Sequence, residues 1–313
     1  MKKVFLVFVA VCGFTFFACA QRYSDVGNFR TEVIDDGSSI QIIDYSGKGE
    51  NVRIPPRING LLVTSIGDEA FLQKELTGVV IPDSVTHIGD YAFSMNDFAN
   101  VTIPNSVTHI GDSAFSHCQL TGITIPNSVT HIGNGAFAGN QLMGVAIPDS
   151  VIYMGPGVFR INENLKSIDV APNNPNYSSS DGVLYNKDRT ALLQWPQGKS
   201  GAVIIPNDVS HIGDWAFILN QLTGITIPDS VTHIGMGAFA FNQLTSVTIP
   251  DSVTNIEERA FWLNRLTDIV IPNSVVRIGN SAFLDNQLTS VVVSSYTQVE
   301  PDAFDSQVTI TLR

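Results

Sequence analysis

The chain is poor in cysteine and poor in charge. Only three cysteines occur in 313 residues, and two of them, Cys12 and Cys19, fall in the first twenty positions. A processed chain would keep Cys118 alone. One thiol cannot close an intrachain disulfide, so packing rather than cross-linking must hold the fold. Charged residues make up 15% of the sequence, and 29 acidic against 17 basic side chains leave a net charge of −12. A chain of that sign repels phosphate backbones and anionic lipid heads, which argues against nucleic acid as a partner. A lipid anchor is then the remaining route to a membrane. Enzyme signatures are missing too: there is no G-x-S-x-G elbow, no P-loop and no zinc-protease helix motif. We therefore expect no enzyme activity and no cofactor.

The apolar run at Val4–Ala18 follows Lys2 and Lys3 and spans about 15 residues, short for a membrane-spanning helix. Positive n-region plus short apolar core is the pattern of a secretory signal, so residues 1–20 read as a signal peptide. Two cleavage logics stay open. Ala18-Cys19-Ala20 fits a small-x-small peptidase site, whereas Phe16-Phe17-Ala18-Cys19 resembles a loose lipobox in which Cys19 would carry lipid. On either, the chain is exported to the cell surface or outer membrane, secreted, or held in the periplasm.

The rest of the chain is dominated by one period. Phenylalanine returns every 22 residues at Phe71, Phe93, Phe115, Phe137 and Phe159, then at Phe217, Phe239, Phe261 and Phe283, with Phe304 one residue early. A fixed period of this size marks a solenoid, which presents surface more readily than it builds a catalytic pocket. The repeat reads L-T-x-[VI]-x-I-P-[DN]-S-V-T-H-I-G-x-x-A-F-x-x-N-Q. In one copy, Leu222, Ile225 and Ile227 form a strand-like segment that Pro228 ends, since proline cannot donate to a ladder. Asp229 should cap the following turn by bonding its own backbone. Val-Thr-His-Ile is a second extended piece, and Gly235 is expected to close it at positive φ. Ala-Phe then returns the chain through a short helical turn. Three residues after each phenylalanine comes an asparagine column, from Asn96 to Asn286, whose amides suit the backbone groups of stacked turns. Cys118 takes the asparagine place in one copy and reads as a buried structural thiol.

The segments IPDSVTHIGDYAF, IPNSVTHIGDSAF and IPDSVTHIGMGAF resemble the repeats of the BspA-like leucine-rich repeat surface proteins of host-associated bacteria. The resemblance runs over roughly residues 40–313. It implies a mostly β, right-handed leucine-rich repeat solenoid of about ten coils with a β-hairpin insertion. Residues 21–50 then form an N-terminal cap segment and 51–313 the solenoid, ending in a partial repeat at 294–313. In such proteins the L-x-x-L-x-L strands make the sheet.

Between Phe159 and Phe217 the spacing stretches to 58 residues. Residues 171–201 read as a loop and a β-hairpin, with apolar runs around Val183 and Leu192 flanking a polar turn. The hairpin either stacks as an odd-sized coil or offers Tyr177, Tyr185 and Trp195 as a contact surface.

Two ladders invite chemistry. His87, His109 and His131, then His211 and His233, should stack about 5 Å apart at strand spacing. The column breaks at Tyr153, Asn255 and Arg277, and its threonine neighbours are poor metal ligands, so it reads as an exposed strand position rather than a zinc site. The alternation of Asp with neutral Asn after proline, as at Asp83, Asn105 and Asn127, argues for turns rather than calcium. A third column lies between the two core aliphatics of each strand: Val80, Thr102, Thr124, Ala146, Asp169, Ile204, Thr226, Thr248, Val270 and Val292. It is small, weakly polar and directed outward, with Thr102, Thr124, Thr226 and Thr248 as its centre. Such a strip suits broad protein contact. The family resemblance implies adhesion to a host matrix or plasma protein, an epithelial surface or other bacteria. A structural or periplasmic envelope protein without a host ligand is the alternative.

Overall fold

The computed structural model describes residues 22–47, 51–199, 201 and 203–313. The proposed signal peptide and Cys19 lie outside the described residues. The chain winds as a β-solenoid of about twelve turns. Among the described residues there is no α-helix, only two short 3-10 turns at Val26–Asn28 and Asp35–Gly37. An antiparallel hairpin, Phe29–Ile34 against Ser39–Tyr45, opens the stack, and its second strand pairs in parallel with Leu61–Ile66.

From there one parallel ladder runs through His87–Ile88, His109–Ile110, His131–Ile132 and Tyr153–Met154. A second ladder begins with the antiparallel strands Tyr177–Ser180, Val183–Asn186 and Ala191–Gln194. It continues in parallel through His211–Ile212, His233–Ile234, Asn255–Ile256, Arg277–Ile278 and Gln298–Val299. This corrects the expected sheet. The continuous ladder lies on the His-Ile dipeptides, whereas the L-x-x-[VI]-x-I segments pair only in places. They do so at Asn51–Arg53 with Gly78–Val80, at Gly144–Ile147 with Ser167–Val170, and at Ser290–Val293 with Thr309–Leu312. Thr226, Thr248 and Val270 add single bridges. The coils are therefore drawn together along the His-Ile strands and the phenylalanine corner.

The corner holds the apolar column. Phe71 to Phe159 stack ring on ring at centroid distances from 5.1 to 5.8 Å. Tyr45 of the opening hairpin caps this stack on Phe71 at 5.3 Å. Trp195 starts the second stack on Phe217 at 5.8 Å, and it continues to Phe304. The core is accordingly two clusters that meet at the insertion.

Three local expectations are corrected. The corner is not a helical turn: Tyr91, Ser113, Trp215 and Arg259 before the alanine all have φ between 52° and 59°, which right-handed helix excludes. Each corner is instead a reverse turn, such as Ala92 N–H to Gly89 C=O, whose next N–H groups reach the following coil. Gly235 and its equivalents do not adopt positive φ. They are needed for contact: a Cβ on Gly89 would lie 2.7 Å from Asp68 N and 2.8 Å from Gly67 C of the coil below. The residue after proline does not cap its turn either. Pro82 C=O takes the N–H of Val85, and the following serine reaches across coils, as Ser84 Oγ does to Val63 O at 2.7 Å.

The asparagine column does what its chemistry suggests. Asn140 Oδ1 accepts from the N–H groups of Cys118 at 3.1 Å and Leu120 at 2.9 Å in the coil below. Its Nδ2 donates to Phe115 O, Phe137 O and Ala138 O. Cys118 fills the same place with its thiol 3.1 Å from Phe93 O and 3.4 Å from Ser116 O, and burial pushes its pKa up to about 12. Because sulfur is a weak acceptor, Cys118→Asn should strengthen the column by about 1 kcal/mol. Asn140→Ala should weaken it by about 2–4 kcal/mol, several buried backbone groups losing partners at once. Denaturant midpoints of the two variants check both signs. Wild-type Cys118 should react with a thiol reagent only after unfolding.

Candidate binding surfaces

All ten residues of the outward strip, from Val80 to Val292, are exposed. Ile204 is 72% and Val270 67% accessible, unusual for large apolar side chains. Thr102, Thr124, Thr226 and Thr248 lie along it as the repeat predicts, placed by the alternation of the aliphatics on either side, such as buried Ile227 and Ile249. Shallow grooves run along this face. One is lined by residues from Val203 to Ser230, another by Ser246 to Ser274 with Arg313.

The insertion residues are placed otherwise. Tyr185 is 3% and Trp195 6% accessible, so neither offers a contact surface. Their apolar rings were needed inside, Trp195 as the phenylalanine of its coil and Tyr185 in the second core cluster. Tyr177 is half-buried, and its hydroxyl accepts the N–H of Met154 at 2.6 Å. It belongs to a set of side chains that close the exposed edge of Tyr153–Met154. Asn174 Nδ2 donates to Pro148 O and Val151 O, and Asn176 Nδ2 to Ile152 O at 2.6 Å. Gln194 Oε1 accepts the N–H of Phe159 at 3.3 Å. Sequence reading saw a Pro- and Asn-rich loop here. Its signal was the density of side-chain amides beside a broken period, which marks an edge that needs partners.

The histidines do stack. Ring centroids are 4.7 Å apart for His87–His109, 4.5 Å for His109–His131 and 4.7 Å for His211–His233. In each, Nδ1 faces the hydroxyl of the preceding residue, as in Thr108 Oγ1 to His109 Nδ1 at 2.9 Å, while that hydroxyl also lies 3.1 Å from Thr86 O. With the hydroxyl proton on the carbonyl, Nδ1 carries hydrogen and Nε2 keeps the free lone pair. Stacked rings hold these lone pairs parallel. Two imidazoles sharing a zinc ion need nitrogens about 3.3 Å apart and convergent. Among the described residues no group of three His, Cys, Asp or Glu side chains could hold a metal ion. A further ladder went unread in the sequence. Asp68, Asp90 and Asp112 follow the close-contact glycines, and each Oδ1 accepts the N–H one coil on, at 2.9, 2.7 and 2.7 Å.

The fold and its columns define a leucine-rich repeat solenoid whose side chains serve mainly the stacking of coils. The sequence matches the BspA type leucine rich repeat region in six copies over residues 64–181 and 198–311, and the chain belongs to that family. It is similar in structure to a leucine-rich repeat protein of Eubacterium ventriosum, with 26% identity over 91% of this chain and 84% of that one at a TM-score of 0.71. A leucine rich cell surface protein of Faecalibacterium prausnitzii shows 26% identity, coverage of 93% and 94%, and a TM-score of 0.65. The pneumococcal vaccine antigen PcpA, at 22% identity, coverage of 91% and 86% and a TM-score of 0.67, shares the fold. No curated protein matches the chain.

Burial and the neighbouring imidazoles of His87 and His131 hold the His109 pKa below its ordinary value, and burial with His233 does the same for His211. A histidine lowered in the folded state costs nothing while neutral in both states, above pH about 6.5. It then favours unfolding as pH falls and the unfolded chain takes the proton first. Thermal midpoints should therefore drop between pH 7 and 5, and His109→Asn, the residue the repeat itself uses at Asn255, should make that drop smaller.

Proposed function

We propose that this is an exported surface protein whose outward strip binds other proteins, in adhesion to host matrix or plasma proteins, epithelial cells or neighbouring bacteria. The observation that carries the reading is the strip itself. Nine of ten regular coils expose a small or apolar side chain at one repeated position, Asp169 being the exception, while the phenylalanine, alanine, asparagine and corner-glycine positions are committed to packing or to inter-coil hydrogen bonds. Threonine, valine and isoleucine on such a surface supply apolar area at low conformational cost without a deep pocket. The cell-surface description of the Faecalibacterium protein supports placement outside the cell, as does the signal-like start. Lipidation at Cys19 would tether the chain there.

Two measurements test this. Protease treatment of intact cells should remove the protein, whereas protection would favour a periplasmic role. Purified protein should bind a subset of immobilised host matrix proteins or co-resident bacteria. The paired variant Thr124→Arg with Thr226→Arg should lower that binding by about tenfold or more, since two long charged side chains would stand in the middle of the contact. The thermal midpoint should hardly move, because both positions are exposed.

A further inference from the structure

The outward column begins one coil before Val80, and it begins with a positive charge. Arg53 pairs in register with Val80, as Val52 does with Val79, so Arg53 holds the place that Val80, Thr102 and Thr124 hold in their own coils. None of the ten residues from Val80 to Val292 is basic. A second arginine stands beside the first. Ser24 N–H donates to Arg53 O and Arg53 N–H to Ser24 Oγ at 3.0 Å, which ties residues 22–24 along the edge of Asn51–Arg53. The Arg53 guanidinium lies 5.0 Å over the ring of Tyr23. Arg22 is exposed and enters no ion pair among the described residues.

Both arginines line a groove of about 470 Å³, together with Asn51, Gly78, Val80, Asn100 and Thr102. The groove opens where two coils part. Gly78–Val80 pairs with Asn51–Arg53 on one side, but among the described residues no backbone hydrogen bond joins it to residues 100–102 on the other. The place of a bulky side chain is also vacant at Gly78, where the Asn51 amide lies across: a Cβ there would sit 2.2 Å from Asn51 Oδ1. Among the described residues the lining holds no carboxylate. The two grooves further along the same face have the other sign. Asp229 lines one. Asp251 and Asp268 line the other, where Arg313 is held by Asn273 Oδ1 and Ile271 O. The strip thus runs from a basic start to an acidic far end.

We propose that the groove at Arg22 and Arg53 receives an acidic, extended segment of the partner protein and so sets which way round the partner lies along the strip. The proposal rests on the strip being the protein-binding face. Guanidinium groups match carboxylates in a planar, two-point fashion. The side chains of Asn51, Asn100 and Thr102 offer donors and acceptors to the segment's main chain, and Val80 gives it an apolar floor. A polysulfated glycan fits less well: two arginines stand here in a chain of net charge −12, which repels a dense polyanion. Charge pairs of this kind fix register and speed encounter more than they add affinity. The neutral length of the strip then supplies the hold, and the groove supplies the direction.

The test is titration of the purified protein against a fluorescent, capped peptide Val-Glu-Val-Glu-Val, read by anisotropy, beside its Val-Gln-Val-Gln-Val counterpart. Alternate glutamates stand on one face of an extended chain. Saturable binding of the acidic peptide is expected, about tenfold tighter than that of the neutral one and weakening as salt is raised. Arg22→Gln should lower it about fivefold, and Arg22→Glu should abolish it, both at an unchanged thermal midpoint because Arg22 is exposed. Arg53→Gln should act likewise; if losing its contact with Tyr23 unsettles the fold, the two Arg22 variants still decide. Thr124→Arg with Thr226→Arg, which costs binding to an immobilised protein partner, should not weaken the peptide, so the strip and the groove can fail separately. Equal binding of the two peptides, undiminished binding by Arg22→Glu, or displacement by a short heparin fragment at lower concentration than by unlabelled acidic peptide would overturn the proposal.

Discussion

Each coil of this molecule borrows hydrogen-bond partners from the next, and the rest of the structure follows from that loan. The corner N–H groups donate upward, the ladder N–H groups donate downward, and a buried asparagine amide ties both to its own turn. Such bonds require adjacent coils to hold one spacing everywhere along the corner and the His-Ile ladder. That requirement explains why glycine precedes most corners: at Gly89 a side chain would strike the backbone of the coil below, and only Glu257 and Glu300 among the described coils replace it. It explains why Phe71 to Phe283 superpose as stacked rings rather than interleaving. It also explains why little of the chain is left over for chemistry.

Much of this was legible in the sequence, because a repeated position must solve the same physical problem in every coil. The phenylalanine, the asparagine and the outward threonine were placed correctly on period and polarity alone. What could not be read was which of two extended segments would carry the ladder. L-x-x-[VI]-x-I is the better strand by composition, yet the shorter Val-Thr-His-Ile pairs continuously, since the corner with its inter-coil bonds begins at the residue after its isoleucine, as Gly133 N–H to Ile110 O shows. The glycine was misjudged for a related reason: sequence shows that glycine is favoured there but not whether backbone conformation or a neighbouring coil favours it.

The insertion was harder, because a broken period removes the comparison that makes the other positions readable. Tyr185 and Trp195 were open to two readings, a stacked coil or a contact surface, and are core residues. Their burial follows from the need to continue two apolar columns across a change of chain direction. Tyr177, Asn174, Asn176 and Gln194 do with side chains what backbone does elsewhere. Amides and a phenol can reach the edge of Tyr153–Met154 where no properly spaced main chain is available.

The uniform coil has a consequence for how the array changes size. Copies such as 81–93 and 103–115 are identical at 11 of 13 positions, so unequal exchange between them adds or removes whole units of 22 residues. Every column is then kept in register, and what alters is the reach of the molecule rather than its fold. The coil at Leu192–Trp195 does not share this freedom: Leu192 pairs with Ile212 and Trp195 stacks on Phe217, so its corner is two residues shorter than the regular one, and duplication would repeat that deficit. The array can therefore grow or shrink on either side of that junction while the junction itself stays single.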